Sequence, residues 1–67
     1  MNVCAEIYKT IVDRASERKK TRLVRLPPHL WDKVADDEVV WLKNVVGATI
    51  VEAKGLTEPQ FLESIDS

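Results

Sequence analysis

Six cations, Arg14, Arg18, Lys19, Lys20, Arg22 and Arg25, fall within twelve residues of a 67-residue chain. Lysine and arginine at that density neutralise phosphates, and each neutralised phosphate releases counterions and makes affinity salt-sensitive. The competing reading is a solvated basic turn that only keeps the protein soluble. The net charge of −1 hides this cluster. Residues 1–25 carry +4 and residues 26–67 carry −5, so the chain is basic at one end of its sequence and acidic at the other. Arg25 alternates with Val24 and Leu26 and should point away from whatever they bury. A polyanion contact and a pairing across a neighbouring strand are both open to it.

Other chemistries find little support. One cysteine, Cys4, and one histidine, His29, cannot make a tetrahedral zinc site without several carboxylates or a second chain. His29 follows two prolines and reads as a surface or cap residue. Ser16, Ser64 and Ser67 lack any nucleophile-elbow context. Asp36, Asp37 and Glu38 are adjacent, so they point different ways and read as a turn, not a cation site. Two glycines, Gly47 and Gly55, cannot build a phosphate loop. No enzyme, cofactor or metal is expected. Trp31 and Trp41 could stack on bases. Their neighbours Leu30, Val34, Val40 and Leu42 instead suggest an interior or a subunit interface.

The chain that must position these residues is 7.6 kDa, enough for one small domain. Residues 1–54 read as that domain and 55–67 as a short acidic segment. Chains this short bury only about 60% of their unfolded surface and often add disulfides, a metal or a partner subunit. One cysteine excludes an intrachain disulfide, which leaves self-association. With 45% hydrophobic and 31% charged residues, a folded protein is expected. No apolar run is long enough for a membrane span, and no secretory signal stands at the amino terminus. The lone cysteine fits a reducing cytoplasm.

Residues 3–15 can be read two ways. Val3, Ile7, Ile11 and Ala15 have helical spacing, whereas Ile7 to Val12 is dense in β-branched and aromatic residues. Residues 16–20 read as a turn and 21–26 as a strand ended by Pro27-Pro28. His29 to Val34 makes a short helix with Pro28 in its first turn. Seven of the thirteen residues from Val39 to Val51 are β-branched, which predicts two strands near 38–43 and 48–53. The rival is one long helix from Pro28 to Val46. Thr57 and Gln60 have capping-box spacing and predict a short C-terminal helix with Phe61, Leu62 and Ile65 on its apolar face.

The stretch from Thr21 to Glu52 resembles the AbrB/MazE/SpoVT family of swapped-hairpin DNA-binding proteins. Leu26-Pro27 matches its strand end, and Leu30, Trp31 and Val34 match its short helix. Asp37-Glu38-Val39 matches the start of its third strand, and Gly47–Val51 its last. The resemblance spans residues 6–53 and implies a mainly β fold, with Ile7–Val12 as the first strand. Two chains would exchange hairpins into one small β-barrel. It further implies that Arg18, Lys19 and Lys20 sit in a hairpin turn facing DNA, flanked by Arg14 and Arg22. The turns depart from the family's pattern. Residues 16–20 contain no glycine, and Asp36-Asp37 stands where Gly-Asp is usual.

The expectation is therefore a homodimeric regulator or antitoxin that binds double-stranded DNA through paired basic hairpins. In toxin–antitoxin members of that family a segment after the barrel grips the toxin, and Phe61, Leu62 and Ile65 are the candidate anchors. The alternative function is a small protein-binding module, an inhibitor or assembly subunit, that uses its acidic half. The alternative fold is ribbon-helix-helix, which requires residues 37–53 to be mostly helical.

Overall fold

The first helix is set by its ends and by one face. The structure, a computed structural model, describes residues 2–64. The side chain of Asn2 accepts a hydrogen bond from the Ala5 amide at 3.1 Å and caps helix α1, Val3–Ser16. Val3, Cys4, Ile7 and Ile11 recur every three or four residues and are buried. The helical spacing of this segment prevails over its β-branched content. At its other end the Lys19 amide donates to the Arg14 carbonyl and the Arg18 amide to the Ala15 carbonyl. This double closure is a Schellman motif. It places Arg18 in the left-handed region, with φ 64°.

Strand β1, Leu23–Leu26, follows. Pro27 ends it, and helix α2, Pro28–Trp31, makes one turn with Pro28 inside its start. Helix α3, Asp36–Val46, begins where Glu38 turns its carboxylate back to accept from the Ala35 amide at 2.9 Å. Three acids in its first turn oppose the positive end of its dipole. Gly47, with φ 76°, ends it. Strand β2, Thr49–Glu52, and strand β3, Gln60–Leu62, complete the domain.

The sheet has the order β2-β1-β3. β1 pairs parallel to β2 and antiparallel to β3, with Val24 opposite both Ile50 and Phe61. Val24, Leu26 and Ile50 face α1 and α3 and join Ile7, Ile11 and Leu42 in one core. The opposite sheet face carries Leu23, Arg25, Val51 and Leu62, as strand alternation requires. α1 and α3 run side by side in the same direction. The start of α1 shares a hollow with Asp37, Glu38 and Trp41, and its end shares another with Val46.

This open three-stranded sheet with three helices corrects the expected mainly β, swapped-hairpin barrel. β1 finds both of its neighbours within its own chain, so no hairpin is exchanged. That also removes the ribbon-helix-helix alternative, in which this strand pairs across a dimer. Residues 7–12, expected as a strand under the family resemblance, are the middle of α1. Residues 38–43, also expected as a strand, belong to α3. The reason is topological. Parallel strands need a crossover of a dozen or more residues, and a helix is its usual form. Valine costs a helix only a few tenths of a kcal/mol per residue, less than the burial of Leu42 returns. The expected C-terminal helix is instead strand β3, in which Phe61 packs on the core. Among the described residues, no helix is long and apolar enough to cross a membrane.

Cys4 is buried beside α3, and its thiol pKa is pushed up. Burial is the main cause, followed by the charge of Glu38 and a hydrogen bond to it. A raised thiol pKa means that the folded chain holds its proton at a pH where the unfolded chain has lost it. Stability from this group is therefore complete below the unfolded value, about 8.5, and declines above it. Urea unfolding at about pH 7 and pH 9.5 is expected to show a steeper fall for the native chain than for Cys4→Ala.

Candidate nucleic-acid interface

The loop between α1 and β1 carries most of the expected basic residues, and its shape is fixed from two sides. The Arg14 guanidinium donates from Nε to Thr21 Oγ1 at 2.8 Å and from Nη2 to the Lys20 carbonyl at 3.2 Å. Thr21 is buried, so this contact anchors the far end of the loop to α1. Arg14 thus positions the loop, and part of its donor fork is already engaged. The Arg22 backbone sits between both neighbouring strands. Its amide donates to the Leu62 carbonyl at 2.8 Å, and its carbonyl accepts from the Thr49 amide at 2.9 Å. The Arg22 side chain remains exposed.

Lys20 and Arg22 line one hollow together with Lys43 from the last turn of α3. An adjoining hollow adds Arg18 and Lys19, with Ile11, Ala15 and Val46 beneath them. Five cations, four from the α1–β1 loop and one from α3, therefore meet at the end of the domain where α1 and α3 finish and β1 and β2 start. Two acids share the neighbourhood. Glu63 lines the second hollow, and Glu17 pairs with Lys19 at 3.5 Å. That pair is well exposed and contributes little to stability.

Lys43 is absent from the sequence-based set because it lies 18 residues beyond Arg25. Its place at the C-terminal end of an amphipathic helix was the available signal, but only for a reader who made that segment helical. Arg25 lies apart from the group. Its guanidinium donates from Nη1 to Gln60 Oε1 at 2.8 Å, joining β1 to β3 on the outer sheet face. The candidate protein-binding residues also separate. Phe61 packs on the core, and Leu62 lies half-buried on the opposite sheet face. Ile65 lies outside the described residues. Trp31 packs against the core, while Trp41 is exposed and its ring meets that of Tyr8 at 5.6 Å.

Arg18 is the most informative member of the group. A left-handed backbone costs an L-residue roughly 1–2 kcal/mol, and glycine adopts it freely. The position could be held by glycine at lower cost, yet it carries a cation at the rim of a basic hollow. Such strain concentrates where a side chain is used. Arg18→Gly is expected to raise unfolding stability by roughly 0.5–1 kcal/mol. The same change should reduce the salt dependence of polyanion binding by about one charge. Urea denaturation and a salt titration on the same sample check both.

The site and fold define a small domain of helices on an open three-stranded sheet, with a preformed cationic end. No family model matches the chain, and no curated protein or solved structure is found similar to it.

Proposed function

We propose that the protein binds double-stranded DNA through this end, as a small regulator whose basic loop grips the phosphate backbone. The observation that carries the reading is the convergence of Lys20 and Arg22, from the loop that leads into β1, and Lys43, from the end of α3, on one hollow. Bringing Lys43 from a distant part of the sequence to the basic loop costs the fold mutual repulsion, and a polyanion removes that cost. Arg18 and Lys19 widen the same surface. The grip is on backbone phosphates, which fix position but carry no sequence information directly. Among the described residues no helix N-terminus or strand ribbon projects from this end, so affinity is expected to be broadly tolerant of sequence. A homodimer also belongs to this reading, by association of complete domains and not by exchanged hairpins.

Fluorescence anisotropy with a labelled random-sequence duplex of about 20 base pairs tests it. At protein concentrations where the chain is monomeric, five phosphate contacts predict a plot of log K against log salt with a slope of about −4.5. The absence of saturable binding at low salt would overturn the proposal. Clear preference for a single strand or an RNA duplex would move it to another nucleic acid.

A further inference from the structure

The outer side of the two-helix layer presents an apolar strip that the fold itself does not use. Tyr8 and Val12 on α1 lie beside Trp41 and Val45 on α3, and all four are between 40% and 56% exposed. Within each helix the pair is four residues apart, so each pair forms a short ridge along the axis. The Tyr8–Trp41 ring contact joins the two ridges into one surface. Large aromatic side chains in such a strip are what well-packed protein interfaces use as anchors.

The charge at its two ends is opposite. At the start of the helices the strip meets a hollow lined by Asp37 and Glu38. Past the other end lie Arg18, Lys19 and Lys20, which outnumber the acids Glu17 and Glu63 beside them and leave that end net basic. A surface that is apolar in the middle, acidic at one end and basic at the other is complementary to itself when one copy is reversed. A two-fold axis across the helices satisfies that condition. The alternative, with helices running the same way, sets acid against acid and base against base.

We infer that two copies of the chain associate through Tyr8, Val12, Trp41 and Val45 with their helix pairs antiparallel, so that Asp37 and Glu38 of each face Arg18 and Lys19 of the other. The interface is isologous and closed, and it ends at two subunits. In that dimer Arg18 and Lys19 are withdrawn from the phosphate-binding surface, while Lys20, Arg22 and Lys43, which share the neighbouring hollow, stay available to it. The inference does not rest on DNA binding, and its test contains no nucleic acid.

Sedimentation equilibrium of the full chain over a wide concentration range reads the association directly. A monomer–dimer equilibrium is expected. Trp41→Glu and, separately, Val45→Glu should each weaken it by about 100-fold while leaving the circular-dichroism spectrum unchanged. At low salt, Asp37→Asn should weaken it by about threefold. A monomer at every concentration, or a dimer indifferent to both glutamate variants, would overturn the inference. Growth beyond two subunits would also overturn it. Unchanged or tighter association in Asp37→Asn would overturn the antiparallel arrangement.

Discussion

Replacing Lys20, Arg22 and Lys43 together with alanine is expected to weaken duplex binding by about 100-fold at low salt. It should flatten the salt slope by about three units while the unfolding transition stays within roughly 0.5 kcal/mol of the native chain. The three side chains line one hollow although Lys43 is 21 residues from Arg22 in sequence. Each phosphate contact contributes about one unit to the slope, so losing three should be read directly from the titration. The stability change should be small because Lys20, Arg22 and Lys43 are exposed, and the fold uses Arg22 through its backbone. Removing like charges from one end also relieves repulsion, which offsets the lost interaction of Lys43 with the end of α3. An unaltered slope in the triple variant would place the binding surface elsewhere. A comparison variant, Arg25→Ala, lies on the outer sheet face and is expected to leave the slope nearly unchanged.

Leu42→Ala is expected to cost about 2–5 kcal/mol, against a total stability of roughly 3–10 kcal/mol for a chain of this length. Leu42 is fully buried among the core residues contributed by α1, β1 and β2. Truncation leaves a cavity that the surrounding side chains can only partly fill. The informative comparison is Val40→Ala. Val40 is 57% exposed, and the change should fall within roughly 0.5 kcal/mol of zero, because alanine is also the better helix former. In a strand, residues 40 and 42 would share a face and respond alike. In a helix they stand about 200° apart and respond oppositely. Denaturant midpoints of the two variants therefore test the helical assignment of residues 36–46 as well as the core. Equal, substantial losses in both would contradict it.

Several elements were legible from residue types alone. Thr21 to Leu26 reads as a strand before two prolines, and β1 is Leu23–Leu26. Pro28 opens a short helix, as its fixed φ and missing amide proton favour. Residues 48–53 read as a strand, and β2 spans Thr49–Glu52. Each of these carries a local signal strong enough to act before any tertiary contact forms. The basic loop was equally plain, because its cations are consecutive or nearly so.

The segments that sequence could not decide are those in which local signals were weak or opposed. Residues 3–15 carry both periods, and burial of Val3, Cys4, Ile7 and Ile11 selects the helical one. Val39 to Val46 has strand propensity, but it lies between two parallel strands and must cross over the sheet. Thr57 and Gln60 have helix-start spacing, yet a free edge of β1 accepts Phe61 and Leu62 as a third strand. There the Gln60 side-chain oxygen Oε1 accepts from Arg25 in place of capping a helix.

By itself the sequence determined the charge asymmetry, the basic loop and the local signals at the prolines and glycines, because these are properties of residues taken a few at a time. Only the tertiary structure decided that Lys43 joins that loop, that Arg25 leaves it, and that Tyr8 and Trp41 share an exposed surface. Each of those facts depends on which helix lies beside which strand. Differences of a few tenths of a kcal/mol per residue in local preference are too small to choose that arrangement, and burial of one shared core is large enough to impose it.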